Sequence, residues 1–334
     1  MDSNDATFDI YNRSTVIDGL HVSNWTSPAV YQSLRSSNIT AINATVAVFE
    51  GFNEAADNIK AWLRRLTNYN DGFLHVTSVE DITQAKFQRK TGVIFGWQNA
   101  SPIEGNLNRL GLFHRLGVRI IQLTYNERNR LGNGCWERND YGLSKFGLDA
   151  LHEMNRLGIL VDLSHCGDIT TQEAIEFANT PVAITHANAR SFFHHPRNKP
   201  DHILRLLAEK GGVIGATSWP PFLRKKFNST IIDFVDAIDD LVERIGIDHV
   251  GIGSDYTQNQ SKEWFDVLMS QQGTKFNQRR LDYPDIITHP TGIETPDKFP
   301  IISIELVKRG YSEEDVSKIL GGNWLRLFSE VWAV

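Results

Sequence analysis

The sequence predicts an α/β fold, a (β/α)8 barrel closed by C-terminal helices, on three observations. Eight short apolar runs rich in Val and Ile recur along the 334 residues, and each is followed by a longer segment with helical spacing. Continuous apolar runs of this length fit strands buried on both faces, as in a parallel sheet. No linker, low-complexity tract or further repeat divides the chain, so residues 1–334 read as a single barrel domain.

The runs are TVIDGLHV (15–22), ITAINATVAV (39–48), GVIFGWQ (92–98), RIIQLTY (119–125), ILVDLSH (159–165), PVAITHA (181–187), GVIGATS (212–218) and HVGIGSD (249–255). Between them, 55–66, 106–117, 146–158, 170–178, 200–212 and 231–246 carry apolar residues three and four apart. Gly117, Gly158, Gly211 and Gly246 fall where helix C-caps belong. The Gln-, Asp- and Pro-rich segment 257–300 reads as a long loop or lid after the eighth run, and 301–333 as closing helices.

Composition excludes several classes. At 41% hydrophobic and 22% charged, the chain is neither disordered, collagen-like nor a disulfide scaffold. Net charge is −6, and the densest basic block is only Arg224-Lys225-Lys226, so no nucleic-acid footprint is expected. No apolar stretch is long enough to span a bilayer. The N-terminus lacks the basic start and apolar run of a signal peptide. Two cysteines, Cys135 and Cys166, fit a cytoplasmic setting. Asn-x-Ser/Thr triplets such as those at Asn38 and Asn43 are then read as chance in a chain rich in these residues.

In such a barrel the active site lies at the carboxyl ends of the strands. The polar residues ending apolar runs are His21, Gln98, Tyr125, His165, His186 and Asp255. A single strand-end histidine is ordinarily a hydrogen-bonded core or surface residue. Three imidazoles and a carboxylate at equivalent ends match a divalent transition-metal site. His75, His114, His152, His202, His249 and His289 read as solvated or packing residues, while His194-His195 is placed to line the mouth. Cys166 reads as a small buried thiol, since no activating dyad is evident, and Cys135 as a loop residue. The polar segment 126–140 is either a plain solvent loop or, over the mouth, a substrate or subunit contact, with Asn126 its first polar residue.

At these residues the sequence resembles the membrane (renal) dipeptidase family of metallopeptidases, from about residue 14 to the C-terminus. The matching pieces are VIDGLHVSNW, LGVRIIQLTYN, GLSKFGLDALHEMNRLGILVDLSHC, PVAITHANARSF, RNKPDHILRLL and GIGSDY. The resemblance implies a TIM-like barrel, a homodimer, and two zinc ions bridged by a carboxylate that activate a water to cleave a dipeptide. By it, His21 matches a first-strand ligand, His165 and His186 the two ligands of the second metal, and Asp255 the catalytic acid that handles the water's proton. Arg197 matches the arginine that binds the substrate's terminal carboxylate, a role suited to a bidentate guanidinium.

Three positions depart from the family. Its His-x-Asp is here His21-Val22-Ser23, its bridging Glu falls on Gln98, and its substrate-binding His falls on Tyr125. Two divalent ions a few ångströms apart repel strongly, and a hydroxyl and an amide do not offset that repulsion. The expectation is therefore a weakened or lost dinuclear centre, with one Zn²⁺ on His165 and His186, joined by His21 or Asp255, and with Gln98 in the ligand set if it touches the ion. Asp255 is the expected general base, Tyr125 is expected to act both in catalysis and in binding substrate, and Asn126 to bind substrate. Two alternatives stand beside this hydrolase of a dipeptide-like or small amide substrate: a tailoring enzyme on a specialised metabolite, and a non-catalytic binding barrel.

Overall fold

The computed structural model describes residues 9–268 and 283–333. Nine parallel strands form: β1 Ile17–His21, β2 Ala41–Ala47, β3 Phe73–Val76, β4 Thr91–Trp97, β5 Val118–Gln122, β6 Leu160–Asp162, β7 Ala183–Ile184, β8 Val213–Ala216 and β9 Val250–Ile252. Their order, β2-β1-β9-β8-β7-β6-β5-β4 with β4 returning to β2, closes an eight-stranded barrel. All eight apolar runs are barrel strands. The extra strand β3 lies along residues 91–94 of β4, while β5 takes over at residues 95–97.

The helices form where the spacing places them. Phe52–Asn68 buries Ala55, Ile59, Trp62 and Leu66, one stripe at helical period, and the Glu54 carboxylate accepts from the Gly51 amide to cap its start. Ile231–Ile245 buries Phe234, Ile238, Leu241 and Ile245 on the same principle, and Asp233 caps the Thr230 amide. Gly117, Gly158, Gly211 and Gly246 all adopt positive φ just past helix ends. Three helices were not legible from apolar spacing: Pro28–Ser37, Val79–Phe87 and, within the expected loop 257–300, Lys262–Leu268. Residues 269–282 of that loop lie outside the described residues.

Helices Pro300–Lys308, Glu313–Ser317 and Asn323–Val331 end the chain as expected. The last one plugs the amino end of the barrel. Trp324, Leu327, Phe328 and Val331 pack in one buried cluster with Ile17, Ala41, Ile120, Leu160, Ala183 and Val213, which sit at or near strand starts. The Trp324 indole N–H donates to the Ile252 carbonyl at 3.0 Å, so burying this large side chain leaves no polar atom stranded. With that end filled, the carboxyl ends carry the polar residues. No helix among the described residues is long and apolar enough to cross a membrane.

Candidate active site

His165 and His186 follow β6 and β7, and the barrel brings their rings together with Nε2 to Nε2 2.9 Å apart. The other nitrogen of each ring is held from behind. Nδ1 of His165 donates to the Asn126 amide oxygen at 2.6 Å, because that oxygen has no proton to give. Thr185 Oγ1 gives its proton to Asp162 Oδ2 at 2.7 Å, so it accepts from His186 Nδ1 at 2.8 Å. Asp162 also accepts from the Ser164 hydroxyl and from the Ser164 and Thr185 amides. These contacts fix both tautomers and leave a bare Nε2 lone pair on each ring, aimed at the other.

Close backbone approach sets this register. A β-carbon on Gly253 would lie 1.8 Å from the Thr185 carbonyl oxygen, so only glycine fits opposite the β7 end. Asp18 on β1 accepts from the Ser254 amide at 2.7 Å and from its hydroxyl, which ties the end of β9 to β1 beside Asp255. Asp255 itself has φ 62, and Asn126 has φ 55. Both are residue types that tolerate the left-handed region, and both sit at the site, where such strain concentrates.

A cavity of about 40 Å³ opens here. Gln98, Tyr125, Asn126, His165, Arg197 and Asp255 supply its polar wall, and Trp136, Trp219, Phe222, Trp264 and Tyr283 its aromatic one. Tyr125 stacks on the His165 ring, centroids 4.0 Å apart. Arg197 is buried; its Nη2 donates to the His186 carbonyl at 2.9 Å, Nη1 to the Ser164 carbonyl, and Nε has no partner. His195 and Asp255 line the same space.

The other candidates have neighbours of their own. His21 lies between Trp25 and Tyr256, with ring centroids 5.1 and 5.6 Å away, and neither of its nitrogens has a partner. Gln98 donates from Nε2 to Thr45 Oγ1 at 3.0 Å. Ser23 spends its hydroxyl on the Tyr256 carbonyl and the Gln258 amide. Asn126 borders the cavity, but its amide oxygen is committed to His165. Among the described residues, no three His, Cys, Asp or Glu side chains stand together as a metal-holding group.

Burial dominates the electrostatics. It pushes Asp255 up to about 8, against the pull of Arg197, and raises Tyr125 well above its ordinary value. Burial and then Arg197 hold His165 and His186 well below theirs. A proton between the two Nε2 atoms is thus disfavoured. Cys166 is fully buried and its thiol is raised, which suits the inert reading.

A profile of the membrane dipeptidase family, peptidase family M19, matches residues 13–275 and 281–334. The chain belongs to the membrane dipeptidase family. Family M19 is one of hydrolases, and their metal dependence is in keeping with the paired imidazoles. The chain is similar to an amidohydrolase from Pseudomonas aeruginosa, 39% identical with a TM-score of 0.94 over 98% of this chain and 99% of that one. It is 30% identical to the dipeptidase tcpJ of Claviceps purpurea over 79% of this chain, spanning 56% of that relative's own length. Its fold also matches a probable dipeptidase from Pseudomonas aeruginosa at 19% identity, with a TM-score of 0.83 over 99% and 98% of the two chains.

Set against the membrane dipeptidase pattern, the residues present offer two paired imidazoles and carry neutral side chains at Ser23 and Gln98. Two bare, converging imidazole nitrogens with supported tautomers are a ready pair of ligands. At the positions of the family's acids stand Ser23, whose hydroxyl is engaged with Tyr256 and Gln258, and Gln98, whose Nε2 donates to Thr45. His289, read from sequence as a packing residue, is buried and bonded to Ser218 Oγ at 3.0 Å and to the Thr257 amide. Asp162, Thr185 and Ser164 carry no local signature as supports, since their part depends on strand register.

Buried groups also set the pH dependence of the metal-free protein. Burial lowers His75 and His195 to about 4 and His21 and His289 to about 3. Below pH 6.5 the unfolded chain takes up protons that the folded one refuses, so stability falls on acidification. Asp18, raised by burial to about 7, and Asp255, raised to about 8, keep protons in the fold that the unfolded chain has released. Stability therefore also falls as pH rises from about 4 through 8. The imidazoles outnumber the acids on the acid side, and only the acids act above pH 7. Thermal melts of metal-stripped protein are expected to peak near pH 6.5, with each uncompensated proton worth about 1.4 kcal/mol per pH unit. A melting temperature still rising from pH 7 to 8 contradicts this.

Proposed function

We propose that the chain is a metal-dependent hydrolase that cleaves the amide bond of a dipeptide-like substrate with a single divalent ion, Zn²⁺ foremost, on His165 and His186. The reading is carried by the two Nε2 lone pairs facing each other at 2.9 Å. The other donors available at this end of the barrel are His21, whose nitrogens lack partners, and Gln98. A bound divalent cation supplies polarisation of a carbonyl and a more acidic water.

The chain's own residues do the rest. Asp255 accepts a proton from the attacking water and returns it to the amine nitrogen as the C–N bond breaks. Its desolvation makes the ionised carboxylate a stronger base than an exposed one. Arg197 offers its unpartnered Nε–H and remaining Nη protons to the substrate's carboxylate. Tyr125 keeps its phenol proton and presents an O–H donor beside His165. The aromatic wall of Trp136, Trp219, Phe222 and Trp264 excludes bulk water.

One observation favours a second reading within the same chemistry. The free space of about 40 Å³ is that of a water or two, and its wall is largely aromatic. That favours a specialised, apolar amide over ordinary dipeptides. Steady-state turnover across a panel of dipeptides, their C-terminal amides and N-acyl aromatic amino acids tests both readings. Arg197→Ala is expected to raise KM for free-carboxylate substrates about 30-fold, with little effect on the C-terminal amides. No turnover of any member, with no bound metal, leaves the non-catalytic barrel.

A further inference from the structure

A second cavity, of about 350 Å³, lies at the opposite end of the barrel from the candidate active site. Its floor is Thr40 and Thr91, where β2 and β4 begin, and its walls carry Arg35, Lys86, Arg89 and Lys90. Among the described residues, no carboxylate lines it. Volumes of this order take small molecules.

Each cation has a distinct setting. Arg35 is shared with exposed Asp71, and a β-carbon at Gly72 would lie 2.3 Å from its Nε, so glycine lets the guanidinium lie flat along the wall. Lys86 Nζ is anchored on the Asn12 carbonyl at 2.7 Å and on the Ser14 carbonyl, and burial lowers its pKa. For Arg89 and Lys90 no ion pair forms among the described residues. Four positive charges against one acid repel one another, in a chain whose net charge is −6.

Arg89 is the sharper observation. It follows the C-cap of helix Val79–Phe87 with φ 54, the position at which glycine or asparagine is favoured. An arginine there is held in a strained left-handed backbone. The fold bears that strain, and among the described residues no hydrogen bond or ion pair forms at the guanidinium. A planar five-donor fork beside two ammonium groups matches a phosphate dianion, bidentate from arginine and point-charged from lysine.

We propose that this pocket binds a phosphate-bearing anion, either a free phosphate ester or a lipid headgroup. Phe87, 82% exposed beside Lys86, is what a headgroup source would use to touch the acyl chains. The site is separate from the imidazole pair, so its success or failure leaves the hydrolase reading untouched.

Calorimetric titration of the full chain with inorganic pyrophosphate at low ionic strength tests it. Saturable binding is expected with Kd below about 1 mM, weakened at least about tenfold in Arg89→Gly and in Lys90→Gln. Arg89→Gly is also expected to raise the melting temperature, because glycine relieves the left-handed strain, and to leave amide turnover unchanged. Vesicles of phosphatidylcholine with phosphatidic acid separate the sources. Sedimentation with them, reversed by excess pyrophosphate, assigns the headgroup, and pyrophosphate binding without sedimentation assigns a free ester. No saturable pyrophosphate binding, or binding unchanged in both variants, overturns the proposal.

Discussion

Asp255→Asn is expected to lower kcat for amide hydrolysis by about a thousandfold while the protein stays folded. The amide is nearly the same size and tolerates the left-handed backbone at φ 62, so the strand end keeps its shape. What is lost is the capacity to take the water's proton, and positioned proton transfer contributes between about a hundredfold and ten-thousandfold. The variant is also expected to gain stability at pH 8, because a carboxyl that burial pushes up to about 8 no longer has to ionise inside the fold. Below pH 4 that gain disappears, since both states then hold the proton. Steady-state kinetics and melts at pH 4 and pH 8 check both parts. Activity within tenfold of the parent removes Asp255 from the role of base.

The second large effect is on the ion. His186→Ala is expected to abolish zinc binding and bring turnover to background, because a lone His165 leaves one ligand. Thr185→Val is the finer test. It keeps both rings but removes the hydroxyl that relays Asp162 to His186 Nδ1. Loss of such a support is expected to weaken zinc affinity about 10- to 100-fold with the fold intact. A purely structural role for Thr185 would lower the melting temperature and leave affinity alone. Far-ultraviolet circular dichroism on each variant separates loss of ion from loss of fold.

Much of this architecture was legible in the chain. The eight barrel strands are Val- and Ile-rich because both faces of a parallel strand are buried, and burial on both faces writes an unbroken apolar run. β3 carries no such signature, because FLHV is short and lies beside half of β4 only. The helix Val79–Phe87 was missed because it buries just Ile82 and Ala85, too few to mark a stripe. The last helix was expected, but its place as a plug in the amino end of the barrel depends on tertiary packing that spacing does not encode.

At the site, the strand-end histidines stood out because a polar residue closing an apolar run is conspicuous. The structure brings together His165 and His186 and leaves His21 in an aromatic setting of its own. Asn126 was expected to face substrate, yet its amide oxygen supports His165. Likewise Arg197 anchors the carbonyls of Ser164 and His186, so one side chain braces the imidazole pair while bordering the cavity. Contacts made across strands separated by twenty or more residues have no local signature.

The loss of Ser23 and Gln98 as carboxylates bears on charge rather than on fold. Ser23 buries its hydroxyl between the Tyr256 carbonyl and the Gln258 amide, so the loop it joins is tied without an acid. The barrel thus closes with neutral residues at both positions.

The central proposal is that the two imidazoles hold a single divalent ion. Elemental analysis of the purified chain after equilibration with Zn²⁺ and gel filtration tests it most directly. One equivalent per chain is expected, falling to none in the His165→Ala, His186→Ala double variant. Two equivalents in the parent, none in the parent, or one that survives the double variant would contradict the account.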